Sequence, residues 1–387
     1  MKYQIRAISV NVARAVYALN WFDITPGMIF ISRDLDLRLV YLGVATTAFY
    51  IGLASLQMIG GILATKYGSR MISFLGIFIL GLGGILSGFS NNLVQLALFR
   101  FITGSGAAMF FSPGLSLLKS VTPQDKYGHW VGVYNGAFNL GGGVGAFGWV
   151  FVDEFIGWRM GLVLGGLLAI ASGLVMLLLT GSYGNERLHS SKIMSETVFI
   201  LKNKYLWLLS VGLMSGMFSE TIIGQFIIYY SETYVKIGET FAGVLGGIFL
   251  ILGFPGGVIG GYIFSKVNNK KKYSYTLSVI VSLLLVPIAL SKSIFILFGA
   301  VILEGFLTVN TFSILYTLTT EFIREKNSLP FALSFVNFVQ IALGSLFPTI
   351  FTAIASIYSY RISWIALSIM GLLLTALIKP VPILDRK

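Results

Sequence analysis

Long apolar runs recur along the whole chain, and each is long enough to cross a membrane as a helix, which takes about 20 residues. Because no water pairs with the backbone inside lipid, such runs fold as helices that satisfy their own backbone hydrogen bonds. Twelve segments qualify. They cover approximately 8–31, 40–63, 71–90, 93–117, 130–152, 158–180, 206–230, 240–264, 274–291, 294–319, 330–352 and 360–379.

The composition also indicates a membrane protein. Hydrophobic residues make up 56% of the 387 positions and charged residues only 11%, whereas a soluble domain carries about 25% charged residues. Without cysteine the chain has no disulfide, thiolate metal site or thiol nucleophile, and His129 and His189 both fall in polar loops. We therefore expect no metal, no cofactor and no enzyme. The first apolar run is too long and too polar for a cleavable signal peptide, so we expect none.

A basic turn between spans two and three marks an internal repeat. It reads GGILATKYGSR in the first copy and GGYIFSKVNNKKK 200 residues later. At this offset Gly61 matches Gly261, and Lys66 matches Lys266. A repeat of this length indicates a duplicated membrane bundle. The expected parts are a six-helix bundle over 1–182, a cytoplasmic linker over 183–205 and a second six-helix bundle over 206–387.

The positive charge predicts the topology. The formal net charge is +12, and the 27 Lys and Arg residues lie mainly in short loops between the spans. With the amino terminus inside, 19 of them fall on the cytoplasmic side and six on the other. Because cytoplasmic loops are enriched in Lys and Arg, we expect both termini in the cytoplasm and a multi-pass protein of the cytoplasmic membrane. The same distribution argues against nucleic acid as a partner.

Three charged side chains lie within the spans of the first half. Asp23, with Asn20 beside it, lies well inside span one, and Arg100 enters span four from the outer side at a similar depth. An ionisable group at such depth needs a partner or water, so we expect an Asp23–Arg100 ion pair that either is functional or only holds two helices together. Arg14 lies close to the inner end of span one, where we expect it to extend to the cytoplasmic interface.

Two acidic residues lie near mid-membrane in the second half, in spans without Lys or Arg. They are Glu220 in span seven and Glu304 in span ten, where Thr308 and Thr311 share the face of the glutamate. A carboxyl group in a medium of low dielectric holds its proton more tightly than it does in water. We therefore expect Glu220 and Glu304, with Asp23 as a further candidate, to carry a coupling proton. A permanently protonated hydrogen-bond donor is the alternative.

Other polar side chains in the spans are candidates for a substrate cavity. They either bind solute or hydrogen-bond between helices, and the sequence leaves both interpretations open. The candidates are Asn20, Arg100, Tyr134, Asn135, Asn139, Thr308, Thr311, Asn337 and Gln340.

Two motifs resemble those of the major facilitator superfamily, and the resemblance covers essentially the whole chain. The family pattern between spans two and three is G-x3-D-R-x-G-R-R. This chain retains Gly61, Gly68 and Arg70, with Lys66 in place of the first arginine and a threonine at the acidic position. The span-four pattern R-x3-G-x-G-x-A is met by Arg100, Gly104, Gly106 and Ala108.

This resemblance implies an all-α polytopic membrane protein of twelve helices, with two pseudo-symmetric six-helix bundles around a cavity lined by spans one, four, seven and ten. In this chain those spans carry Asp23, Arg100, Glu220 and Glu304. The resemblance also implies a conformational role for the motif residues. These are Gly61, Lys66, Gly68, Arg70, Gly104 and Gly106, with Gly261 and Lys266 in the second copy.

The match to individual branches of the superfamily is partial. Drug:proton antiporters carry G-x3-G-P in span five, where this chain has Gly141, Gly145 and Ala146. Residues 20–23, NWFD, are similar to the start of the N-Y-x-D-R motif of organic anion symporters. The run NLGGG over 139–143 is similar to the nitrate porter signature.

The sequence favours a secondary active transporter that moves a small organic solute by alternating access with proton coupling. Symport of an organic anion or other metabolite is favoured over the alternative, proton-driven multidrug efflux. A third alternative, a membrane-embedded enzyme or sensor, lacks a nucleophile–base set or a metal cluster, and no nucleotide-binding loop is present for ATP. We expect a monomer whose partners are the solute, protons and the lipid bilayer.

Overall fold

The computed structural model describes residues 2–184, 199–323 and 329–383, and the regular structure in these ranges is helical. Seven helices precede residue 185. They are α1 (Lys2–Leu19), α2 (Ile24–Asp34), α3 (Leu39–Tyr67), α4 (Ser69–Gly88), α5 (Leu93–Val121), α6 (Tyr127–Ile156) and α7 (Trp158–Thr180).

The later described residues contain eight more long helices, besides a short helical stretch at 199–202. They are α8 (Lys204–Gly212), α9 (Met214–Tyr230), α10 (Glu239–Lys266), α11 (Lys270–Leu290), α12 (Ile294–Phe322), α13 (Leu329–Gly344), α14 (Phe347–Ile357) and α15 (Tyr360–Thr375). A π-helical turn (Ser231–Val235) continues α9, and a 3-10 turn (Ala376–Ile378) continues α15.

The all-α membrane architecture predicted from the sequence is confirmed. Among the described residues, nine helical segments are long and apolar enough to cross a membrane. The number becomes ten if α8 and α9, which are bent by 43° at their junction, form one span. The predicted spans 8–31 and 130–152 fall outside this set, so the count of twelve stays a prediction.

The chain forms two compact units, residues 1–190 and 191–387. The part of the predicted linker over 185–198 lies outside the described residues, so the bundle boundaries at 182 and 206 remain predictions. Each unit is described below by itself.

Span one is not the continuous helix that the sequence suggested. Helix α1 ends at Leu19, residues 20–23 form an irregular turn, and α2 begins at Ile24. The Val16 carbonyl near the end of α1 accepts two hydrogen bonds from Asn20, one from its backbone N–H at 3.1 Å and one from its side-chain Nδ2 at 2.9 Å. Pro26 lies in the first turn of α2, where its missing N–H costs no hydrogen bond. Asn20 and Asp23 therefore lie at a break between helices.

The internal repeat has the same helix contact in both units. A Cβ atom on Gly104 of α5 would lie 1.9 Å from the Phe49 carbonyl oxygen of α3. A Cβ atom on Gly305 of α12 would lie 2.4 Å from the carbonyl oxygen of Phe249 in α10. Only glycine allows helices to approach this closely. Gly106 of α5 allows a similar approach to α4, since its Cβ atom would meet the Leu80 nitrogen at 2.2 Å.

The basic turn of the first copy is fixed to the end of α7. Gly68 joins α3 to α4 with a φ of 91°, a conformation that side chains disfavour. Arg70 donates to the Leu177 carbonyl from Nη2 at 2.7 Å and from Nε at 3.2 Å. A cation at the carboxyl end of a helix also complements the helix dipole. The Ser69 hydroxyl donates to the Gly184 carbonyl at 3.2 Å, so the turn and α7 are held together twice.

The second copy of the turn is built differently. Helix α10 is followed by Val267 at a φ of −67°, so no left-handed residue is needed. A Cβ atom on Gly261 would meet nothing within 4 Å, and the exposed Lys266 contacts the hydroxyl group of Tyr262 on its own helix. The conformational roles expected for Gly61, Lys66, Gly261 and Lys266 stay predictions.

Candidate functional site

The amino-terminal unit contains a buried ion pair. Arg100 on α5 donates from Nη1 to Asp23 Oδ1 at 2.8 Å, and the two side chains are 1% and 0% exposed. This confirms the pair that the matching depths of the two residues predict. Asp23 lies where α2 begins, so the break after α1 is what directs its carboxylate towards α5.

The pair is incompletely satisfied. Asp23 Oδ2 and Arg100 Nε have no hydrogen-bond partner among the described residues, and the guanidinium group lies 4.9 Å from the centre of the Phe49 ring. Charges removed from water need further hydrogen bonds besides their mutual attraction. When the site is accessible, the open carboxylate oxygen can therefore accept a hydrogen bond from a ligand or take up a proton. The open N–H group can donate a hydrogen bond to a ligand.

A second buried acid, Asp153, was not predicted from the sequence. It lies on α6, is 4% exposed, and its Oδ2 has no hydrogen-bond partner. Glycines make room for it, because a Cβ atom on Gly161 would lie 2.2 Å from Oδ1 and one on Gly27 would lie 2.8 Å from Oδ2. Asp153 also lies within electrostatic range of Asp23. The sequence places it one residue beyond the apolar run 130–152, so only a longer span would have included it.

Arg14 on α1 does not extend to the interface, and this expectation is wrong. The residue is 5% exposed, and its guanidinium carbon lies within 5.0 Å of the centres of four aromatic rings. These are the rings of Tyr17, Phe111, Tyr134 and Phe138. Tyr134, a predicted cavity residue, is held in this group because its hydroxyl donates to the Phe111 carbonyl at 3.0 Å.

The asparagines of this unit bond to their own helices. Asn139 Nδ2 donates to the Asn135 carbonyl at 3.3 Å, one turn back on α6, as Asn20 does to Val16 on α1. Neither of these bonds crosses to another helix. The Asn135 side chain is exposed, whereas Asn20 and Asn139 are buried. Asn20 Oδ1 has no hydrogen-bond partner.

The carboxy-terminal unit contains a buried carboxyl group among hydroxyl groups. Glu304 on α12 is fully buried, and its Oε2 accepts a hydrogen bond from the Thr308 hydroxyl at 3.2 Å. Ser219 of α9 lies close to the same carboxyl group, whereas Oε1 has no hydrogen-bond partner. No cation pairs with Glu304 in the part of the chain that the structure describes.

Helix α9 approaches α12 closely beside Glu304. A Cβ atom on Gly216 would lie 1.8 Å from the Thr311 hydroxyl oxygen. That hydroxyl donates to the Thr308 carbonyl at 2.7 Å, so both predicted threonines have defined partners. Glu220 follows Ser219 on α9 and is only partly exposed.

The two predicted polar residues of span eleven have structural partners. Gln340 on α13 donates from Nε2 to the carbonyls of Ser210 and Leu213 at 3.1 and 3.2 Å. These carbonyls lie at the junction of α8 and α9, so the amide satisfies backbone groups that the bend leaves open. Asn337 Oδ1 accepts a hydrogen bond from the Tyr316 hydroxyl at 3.0 Å. Gln340 thus supports a bent span.

Similarity to known proteins supports one family. Residues 10–329 match the Major Facilitator Superfamily. The chain is 31% identical over 147 residues to the 4-hydroxybenzoate transporter PcaK of Pseudomonas aeruginosa, covering 38% of this chain and 33% of that protein. It is 27% identical over 250 residues to a probable nitrate transporter, NarT, of Staphylococcus epidermidis, and that match covers 65% of this chain and 64% of NarT. Both matches therefore span less than two thirds of the relative.

A longer match joins the chain to the quinolone resistance protein NorA of Staphylococcus aureus, at 24% identity over 304 residues, 76% of this chain and 72% of NorA. Among solved structures, a bacterial homologue of the human lysosomal transporter Spinster, inward-facing and unoccupied, gives a TM-score of 0.80 at 15% identity. That similarity covers 98% of this chain and 97% of the other, and at this identity it concerns the fold. This chain belongs to the Major Facilitator Superfamily.

Proposed function

We propose that this transporter couples proton movement to the transport of a small organic solute by alternating access. The observation that carries the proposal is the environment of Glu304. The carboxyl group is fully buried, has one hydroxyl donor at 3.2 Å and keeps one oxygen without a partner. A buried carboxylate is far more costly than a neutral carboxyl group unless a cation pairs with it.

The hydroxyl partners suit a group that changes its charge. The Thr308 hydroxyl is the donor to a carboxylate oxygen, and a hydroxyl oxygen accepts equally well when the carboxyl group carries its proton. A carboxyl group in such a place loads its proton from the more acidic side and releases it on the other side once access alternates. Glu220 is the second candidate carrier and Asp23 the third.

The Asp23–Arg100 pair has a different part in the proposal. Arg100 Nη1 lies 2.8 Å from Asp23 Oδ1 and both side chains are buried, so each residue is the charged partner of the other. The pair therefore suits a conformational switch or a substrate anchor. Symport is favoured, since residues 20–23 are similar to an organic anion symporter motif and Ala146 replaces the antiporter proline. We place the protein in the cytoplasmic membrane as a monomer with both termini inside.

Proton-driven efflux of amphipathic compounds is the second candidate. It is supported by the match to NorA, which covers more of this chain than the matches to PcaK and NarT. Stabilisation of the purified protein by sugars, carboxylates, amino acids or cationic dyes separates the two candidates. Stabilisation by cationic dyes alone favours efflux, and stabilisation by carboxylates alone favours symport.

The coupling test uses proteoliposomes and the solute that this panel identifies. We expect Glu304→Gln or Glu220→Gln to abolish accumulation driven by a pH gradient, while solute exchange at equal pH continues. The matched control is Glu321→Gln, also on α12, whose carboxylate pairs with Lys270 near the helix end. If both Glu304→Gln and Glu220→Gln still accumulate solute under the gradient, the coupling proton travels elsewhere, and Asp23 becomes the next candidate.

A further inference from the structure

We propose that Arg14 is the anchor of an anion-binding subsite that takes a monocarboxylate with a planar aromatic body. This inference rests on the proposed function, because it names the class of solute that the transporter carries. It goes beyond the roles predicted for Asp23, Arg100 and the two glutamates, none of which involves Arg14.

The first observation is the arrangement of rings. The Arg14 guanidinium carbon lies 4.5 Å from the ring centre of Tyr17, 4.6 Å from Phe138, 4.9 Å from Phe111 and 5.0 Å from Tyr134. Aromatic rings attract a guanidinium group through their faces. The ring faces offer no oxygen acceptor to its N–H groups, which point outwards in the plane of the guanidinium.

The second observation is that two of the three guanidinium nitrogens lack hydrogen-bond partners among the described residues. Arg14 Nε and Nη1 are buried and have no hydrogen-bond acceptor. Native structures leave very few buried donors unpaired, and a charged donor is the most costly kind. Within the described ranges no ion pair includes Arg14, and Asp23 already pairs with Arg100. The site therefore has a positive charge and two directed donors that no acceptor of the described residues engages.

The number of unpaired positive charges near Arg14 favours a solute with a single negative charge. A carboxylate accepts two parallel hydrogen bonds in the plane of a guanidinium group and neutralises one charge. A dianion needs a second cation, yet Arg100 is neutralised by Asp23. Arg6, two helical turns away on α1, lies 4.4 Å from the centre of the Tyr183 ring. A phosphate dianion or a dicarboxylate would thus keep an unpaired negative charge in the site.

The aromatic residues around Arg14 favour a solute with an aromatic ring. The rings around Arg14 continue into a larger cluster, since Tyr17 lies 5.5 Å from Trp21 and Phe138 lies 5.3 Å from Trp21 between ring centres. Phe111 and Phe138 are partly exposed, unlike Tyr17 and Tyr134. A planar apolar body adds one more ring to such a cluster, with edge-to-face contacts of the kind already present.

The test is ligand binding by the full-length protein in lipid nanodiscs, measured from thermal stabilisation. Benzoate is the probe, benzamide its neutral analogue, cyclohexanecarboxylate its non-aromatic analogue and phenyl phosphate its dianionic one. We expect benzoate to raise the melting temperature more than each of the other three. Arg14→Gln should weaken benzoate binding by about tenfold or more, as expected for a lost charge-assisted hydrogen bond. The matched control Arg6→Gln, on the same helix, should bind benzoate like the wild type.

Two further measurements separate a binding site from a structural contact. Arg14→Lys keeps the charge but loses the planar fork, so its affinity should fall between those of the wild type and Arg14→Gln. Ligand-free Arg14→Gln should still fold and unfold cooperatively, because the variant removes two unpaired buried donors along with the ring contacts of the guanidinium group. Equal stabilisation by benzoate and benzamide would overturn the proposal. So would unchanged benzoate affinity in Arg14→Gln, or a lower melting temperature of this variant together with no benzoate effect on the wild type.

The failure of this inference differs from the failure of the proposed function. Benzoate binding that needs Arg14, without proton-driven accumulation of benzoate in liposomes, refutes proton coupling and supports the subsite. Proton-driven accumulation of a neutral or cationic solute, without benzoate binding, refutes the subsite and leaves proton coupling in place.

Discussion

Neutralising Asp23 and Arg100 together should lower the stability of the protein less than neutralising either residue alone. In Asp23→Asn the guanidinium group of Arg100 stays buried without a counter-charge. In Arg100→Gln the carboxylate of Asp23 stays buried without one. The double variant leaves no charge at the site. The pair is 2.8 Å long and both side chains are at most 1% exposed, so water does not replace the lost partner.

The expected magnitude follows from this burial. Removal of one member of a buried pair costs about 3–5 kcal/mol. Asp23 Oδ2 and Arg100 Nε already lack partners in the native protein, so part of the desolvation cost is present before any mutation, and we expect the lower end of that range. In a unit of this size a loss of about 3 kcal/mol lowers the melting temperature by about 6–12 °C. The double variant should lose less than either single variant.

The assay is thermal unfolding of the four proteins in nanodiscs, arranged as a double-mutant cycle. The matched control is Asp34→Asn, because Asp34 pairs with Arg159 at 3.1 Å but is 50% exposed. Such a surface pair is worth about 1 kcal/mol or less. Additive losses in the double variant would refute the reasoning, since they would mean that Asp23 and Arg100 do not interact.

Two other predictions concern packing and topology. Gly104→Ala places a methyl group against the Phe49 carbonyl and should lower the free energy of unfolding by about 1–3 kcal/mol. The control Gly261→Ala places its methyl group in open space and should be tolerated. Equal losses of stability in the two variants would contradict the packing argument. Single cysteines replacing Lys66 and Lys271 should react with an impermeant thiol reagent only from the cytoplasmic side, and one replacing Lys236 only from outside. Labelling of the Lys236 position from the cytoplasm would contradict the predicted topology.

The sequence was sufficient for features that depend on depth along a helix. Helical rise is constant at about 1.5 Å per residue, so distance from the ends of an apolar run gives the depth of a side chain in the membrane. Two charges of opposite sign at one depth have a strong reason to meet. That reasoning predicted the Asp23–Arg100 pair, although the two residues are 77 positions apart.

The sequence was insufficient where the neighbours of a helix decide the structure. The bend at Leu213 is stabilised by an amide from Gln340, a partner that no local pattern reveals. Arg14 was misread for a similar reason. Its depth near the inner end of span one is compatible with reaching water, and only the placement of α5 and α6 shows that aromatic rings enclose it. Asp153 was missed because it lies one residue beyond the apolar run 130–152, and the space that buries it is created by glycines of two other helices, Gly27 and Gly161.

The two copies of the repeat keep their packing and differ in their charges. Gly104 and Gly305 occupy corresponding places and meet corresponding carbonyl groups, because close approach of these helices requires a residue without a side chain. The residue four positions before Gly104 is Arg100, whereas a valine stands four positions before Gly305. The residue directly before Gly305 is Glu304, whereas a threonine precedes Gly104. A helix crossing constrains both copies alike, but a buried ionisable group destabilises a membrane bundle and persists only where it has a task. We infer that the first copy has come to hold fixed charges and the second a carboxyl group that can change its charge.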